Sequence, residues 1–74
     1  MSRLIRMDRT VHTELATWDA ADPASVEAAV EAFRRELDRG YIGIVTTGPG
    51  QAELVKELPV DAGTVILRLP ISGG

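Results

Sequence analysis

Few residues in this sequence could do chemistry, and the most informative stand at its end. Gly73-Gly74 follow Pro70-Ile71-Ser72. At the average glycine usage of about 7%, two glycines at a fixed place arise by chance in roughly one chain in two hundred. Glycine has no Cβ, so such a tail can thread a narrow channel that other side chains would block. The residues after Pro70 project at most ~13 Å when extended. The reacting atom would be the α-carboxylate carbon of Gly74. A free carboxylate is a poor acyl donor, so a partner using ATP would first have to make it an acyl-adenylate. Pro70, Ile71 and Ser72 are the tail residues such a partner would read. The chain then needs no catalytic residue and no bound cofactor of its own, because the ATP belongs to the activating enzyme.

Elsewhere the chemistry is thin. His12 is the single histidine, with no Ser or carboxylate arranged around it as a catalytic pair, and it reads as a solvent-side residue. No His, Asp and Glu cluster has metal-ligand spacing, so no metal is expected. Cysteine is absent, which removes disulfides, thiolate ligands and a cysteine nucleophile together. Gly48-Pro49-Gly50 lacks the Gly-Lys-Ser/Thr of a phosphate loop and reads as a turn. Arg34-Arg35 reads as a solvated helix face, as do the helix carboxylates, Glu53 and Glu57. Eight basic against eleven acidic residues leave a net charge of −3, which argues against nucleic-acid binding. One Trp and one Phe are too few for a base-stacking platform. No run of ~18 apolar residues suggests a membrane span, and the N-terminus does not read as a signal peptide. A cytoplasmic monomer is expected.

These groups need positioning, and 74 residues supply one small domain. The apolar stock is 19 Val, Leu and Ile and 9 Ala, enough for one helix on one sheet. An enclosed active site needs wall material that such a chain lacks, so it is not expected to be an enzyme. Asp22-Pro23 is a helix start: Asp accepts from free N–H groups, and Pro suits the first turn. Val26, Val30, Phe33 and Leu37, widened by Ala29, form an apolar stripe. Glu31 and Arg35 form an i,i+4 pair, and Gly40 supplies the left-handed residue after the helix. The spacing predicts a helix over 23–39.

Strands are predicted over 3–7 and 10–18, with Asp8-Arg9 as the turn between them. In the second, Val11, Thr13, Leu15 and Thr17 alternate with His12, Glu14, Ala16 and Trp18. Residues 41–47 form another strand. Residues 51–58 fit either a short helix or a strand. Residues 64–69 form the last strand, which is apolar on both faces and so central and covered. The fold class is α+β, in the order β-β-α-β-(β or short helix)-β, with one helix packed on a mixed sheet. The whole of 1–74 is one domain, and 70–74 is its extended tail.

The segment Asp61-Ala62-Gly63-Thr64-Val65-Ile66-Leu67-Arg68-Leu69-Pro70-Ile71-Ser72-Gly73-Gly74 resembles the C-terminus of the ubiquitin-like β-grasp proteins. Its Pro-Ile-Ser-Gly-Gly end is similar to the sulfur carriers, namely the small subunit of molybdopterin synthase and the thiamine-pathway carrier. Leu67-Arg68-Leu69 resembles the last strand of ubiquitin. The resemblance covers about fourteen residues, and beyond them only the element order. Ala16-Thr17-Trp18-Asp19-Ala20-Ala21 matches no sulfur-carrier motif.

The resemblance implies a β-grasp fold and adenylation of Gly74 by an E1-like enzyme. The acyl group would then pass to a target amine as an isopeptide, or become a thiocarboxylate that donates sulfur to an acceptor enzyme. A deconjugating peptidase is a further implied partner. If the chain is a modifier, chains built on its own lysines could use only Lys56, the single lysine, and single attachment is the simpler expectation. The alternative is a small binding module or accessory subunit, with a sheet face around Ile5, Ile66 and Arg68 carrying its partner.

Overall fold

The helix forms where its caps dictate. In the computed structural model, which describes residues 1–8 and 11–70, α1 spans Pro23–Asp38. The Asp22 side chain accepts from the Ala24 N–H at 3.2 Å, with Pro23 in the first turn. At the other end Gly40 adopts φ +100°, where a residue with a Cβ is strained. The N–H groups of Gly40 and Tyr41 donate to the carbonyls of Leu37 and Glu36, at 3.0 and 3.1 Å. This pattern satisfies the last carbonyls of the helix and turns the chain into the sheet. The predicted stripe is narrower than its residues suggested. Ala29 and Phe33 are buried, whereas Val26, Val30 and Leu37 are partly buried against them. The third buried helix position is Glu36.

The strands are β1 (Ser2–Asp8), β2 (Val11–Trp18), β3 (Ile42–Gly48), β4 (Gln51–Val55) and β5 (Thr64–Arg68). Among the described residues they form one sheet in the order β2-β1-β5-β3-β4. Two antiparallel hairpins, β1–β2 and β3–β4, flank β5. β5 runs parallel to β1 and antiparallel to β3. The parallel pair requires a long crossover, which α1 and the second hairpin supply. Within the ambiguous stretch 51–58, Gln51–Val55 form the strand β4, and no helical turn occurs. Leu54 is 68% exposed, so no helix-type burial of Leu54, Val55 and Leu58 on one side occurs. The first hairpin pairs Asp8 with Val11, so Asp8 belongs to β1 and the intervening residues 9 and 10 lie outside the described part.

β2 departs from simple alternation. Leu4 pairs with Ala16 and Ile5 with Glu14, so Leu15 is an extra residue on the β2 side. Such a bulge shifts the side-chain phase by one. Thr13 and Leu15 are partly buried before it, and Ala16 and Trp18 turn inward after it. The predicted face grouping of Trp18 with His12 and Glu14 therefore fails. Trp18 is 1% exposed, and its indole N–H donates to the Val60 carbonyl at 3.0 Å. That bond anchors the link between β4 and β5, whose Leu58 joins the core.

The core lies between α1 and the inner sheet face. Leu4, Val65 and Val45 form one row across three strands, and Leu67 faces Gly43 in the next. Gly43 is required there. A Cβ on it would stand 2.7 Å from the Phe33 ring.

Candidate functional site

The expected reacting residues, Gly73 and Gly74, lie outside the described residues, as do Ile71 and Ser72. What is described is their base. β5 is the middle strand, and its last residue, Arg68, pairs with Met7 on one side and Ile42 on the other. Pairing on both sides fixes the base in a way that a free terminus is not. Leu69 and Pro70 follow, both exposed.

The outer sheet face, away from α1, carries the second candidate. Paired residues share a face, so the registers place Ile5, Ile66, Ile44 and Leu54 in one row across four strands. Arg68 lies two residues along β5 from Ile66, on the same side, flanked by Met7 and Ile42. The predicted trio Ile5, Ile66 and Arg68 is thus brought together. The three isoleucines of the row are only partly buried. β5 is apolar on both faces as expected, but in this chain only its inner face is covered. Ile42, Ile44 and Leu54 were missed as members. Their signal was the alternation of Ile42 and Ile44 with Gly43 in β3.

A charged network lies at the end of the sheet where β5 stops. Glu36 is 4% exposed, so the reading of the helix carboxylates as solvated fails at this position. Its Oε1 accepts from Arg6 Nη1 at 2.8 Å and its Oε2 from Arg39 Nη1 at 3.2 Å. Arg6 Nε donates to Asp8 Oδ2 at 2.9 Å, and the Tyr41 hydroxyl donates to Asp8 Oδ1 at 2.7 Å. The Arg6 guanidinium also lies 5.8 Å from the centre of the Tyr41 ring. A buried carboxylate without such partners would be costly, and here both oxygens are met. The Glu36 hydrogen bond holds the Arg6 proton more firmly than usual, outweighing the opposing effect of desolvation. Tyr41 is raised above its ordinary value, first by its hydrogen bond to Asp8 and then by desolvation. Sequence gave no sign of this network because Arg6 and Glu36 are thirty residues apart.

The remaining candidates are dispersed. His12 is exposed on β2. Pro49-Gly50 turn β3 into β4, with Gly50 at φ +71°. Lys56 is exposed just after β4. Arg34 and Arg35 are exposed as expected, but Arg35 makes no ion pair with Glu31 among the described residues. Nor do the described residues hold a group of three or more His, Asp and Glu placed for a metal ion. No described helix is long and apolar enough to cross a membrane. No family model matches the sequence, and comparisons with curated proteins and with solved structures find no match.

Proposed function

We propose that this chain is a ubiquitin-like β-grasp carrier that reacts through the carboxyl group of Gly74 when that group is free. The observation that supports the reading is the strand order β2-β1-β5-β3-β4, with β5 central and parallel to β1. It is consistent with a β-grasp-like arrangement. It also holds the chain at Arg68, with four residues, 69–72, between that point and Gly73-Gly74. In the proposed reaction the carboxylate attacks the α-phosphate of ATP and releases pyrophosphate, leaving an acyl-adenylate. An amine then displaces AMP to give an amide, or hydrosulfide displaces it to give a thiocarboxylate. The partner supplies the catalytic groups in either case.

The test is intact mass measurement after incubation with ATP and an E1-like adenylating enzyme. A sulfur-for-oxygen mass gain identifies a sulfur carrier, and amide-linked conjugates identify a modifier. Both must vanish when Gly74 is deleted. Equal behaviour of the full and shortened chains overturns the reading.

The second reading is a binding module acting through the outer sheet face, favoured by the row Ile5, Ile66, Ile44 and Leu54. Under it, Ile66→Glu abolishes the complex with the partner and loss of Gly73-Gly74 leaves it intact. The reverse pattern excludes it.

A further inference from the structure

A half-open cleft lies between α1 and the first hairpin, on the opposite side of the sheet from the isoleucine row. Its volume is about 240 Å³, and it is lined by Arg6, Leu15, Ala32, Arg35, Glu36 and Arg39. Three of those six residues are cations and one is an anion. With Asp8, which Arg6 also bonds, the cluster has three cations and two anions, a local surplus of one positive charge that runs against the chain's −3.

The surplus is available to a ligand. Both oxygens of Glu36 are taken, by Arg6 and Arg39. A guanidinium has five N–H donors. Arg6 commits Nε to Asp8 and one Nη1 bond to Glu36, which leaves donors over. Arg39 makes one bond to Glu36 and is 60% exposed at its side chain. Arg35 has no ion pair among the described residues. The helix dipole favours a cation in the last turn, and this accounts for Arg35 on stability grounds. It does not account for Arg6, which comes from β1, nor for the buried Glu36 that holds Arg6 and Arg39 beside the cleft. Leu15 and Ala32 add an apolar wall, and both pack against the core.

From this lining we propose that the cleft binds a carboxylate carried on a short apolar stem. The planar guanidinium fork matches a carboxylate with two parallel hydrogen bonds. Leu15 and Ala32 receive the stem. The volume is below the roughly 300–1,000 Å³ of pockets that enclose drug-sized ligands, which suits a small group. The proposal does not rest on the reading of Gly74 or on the outer sheet face.

The experiment is an amide and arginine-Nε NMR titration of the full chain with sodium butyrate, against sodium chloride at matched ionic strength. Saturable shifts are expected at Leu15, Ala32, Arg35 and Arg39. Arg35→Gln should weaken binding about tenfold, the loss expected for one charge-assisted contact. Arg35→Lys, which keeps the charge and loses the fork, should also bind more weakly than the original. Arg35 is exposed, so Arg35→Lys, which keeps the charge, should melt as the parent does, and Arg35→Gln should melt at most a few degrees lower. Inorganic phosphate, which has no stem, should bind more weakly than butyrate. Equal shifts with chloride, unchanged butyrate affinity in Arg35→Gln, or phosphate binding at least as tight as butyrate would overturn the proposal.

Discussion

Glu36 is the residue whose role differs most between sequence and structure. The spacing of apolar residues points to Val26, Val30, Phe33 and Leu37, whereas the buried helix residues are Ala29, Phe33 and Glu36. The burial of Glu36 was not legible, because a carboxylate goes inside only with partners, and Arg6 lies thirty residues away in the chain. Glu36→Gln should therefore lower the melting temperature by on the order of 10 °C, since it leaves two guanidiniums facing an uncharged amide. Arg39→Gln should cost only a few degrees, because an exposed ion pair contributes little. Thermal melts followed by circular dichroism check both, and equal losses would mean that Glu36 is not the centre of the network. Tyr41 gives a second reading of the same cluster. Its folded value lies above the ordinary tyrosine value of about 10, because its hydroxyl donates to Asp8 and is desolvated. A raised value means that the folded state binds the proton more tightly. The resulting stability is complete below about pH 10 and is lost as pH rises through the folded value. Tyrosinate absorbance should titrate above the free-tyrosine midpoint and move down toward it in Asp8→Asn. Tyr41 is the single tyrosine, so the signal is unambiguous.

At the scale of elements, capping and periodicity fixed α1 to within a residue, because Asp22, Pro23 and Gly40 each satisfy a local backbone requirement. β2 and β4 were harder for reasons that lie outside their own sequence. The phase of β2 changes at Leu15, and a bulge is defined only by the partner strand. β4 is an edge strand with Leu54 open to solvent, so its hydrophobic pattern was not a guide to a core. Gly43 in β3 shows how the helix dictates the strand. Glycine within a strand usually weakens it, and replacement by alanine normally helps. Here an added methyl would stand 2.7 and 2.8 Å from two Phe33 ring atoms and 3.1 Å from the Val55 carbonyl. Gly43→Ala should therefore destabilise by roughly 1–3 kcal/mol through overpacking. Phe33→Leu in that background should cost less than it does alone, because the clash and the ring share one space. Denaturant unfolding of the two single variants and the double variant measures the coupling. Additive losses would show that Gly43 is not held by Phe33.

For the whole molecule, the element order was readable along the chain, but the strand order depends on which ends meet. Arg3 pairs with Thr64 and Met7 with Arg68, so the first and last strands close the sheet. β5 also carries Val65 and Leu67, both 0% exposed, into the core, and it joins two hairpins that otherwise do not touch as neighbours. Neither hairpin alone has enough covered apolar surface for independent stability. Removing residues 64–74 should therefore abolish cooperative unfolding, with the remainder lacking a sharp melt. Ending the chain after Pro70 should leave the melt within a degree or two, because β5 pairing is complete at Arg68. Native-state hydrogen exchange should give the same ranking by region. The slowest amides should lie in β1, β5 and the β3 face toward β5, and those of edge strands β2 and β4 should open earlier. Closing a parallel pair between chain ends is also a long-range event, so folding should be slower than for a helical bundle of this length. If the chain without 64–74 still melts cooperatively, or if β2 and β4 outlast β1 and β5 in exchange, then β5 is not what unites the molecule. The base on which the proposed Gly74 chemistry depends would then be lost with it.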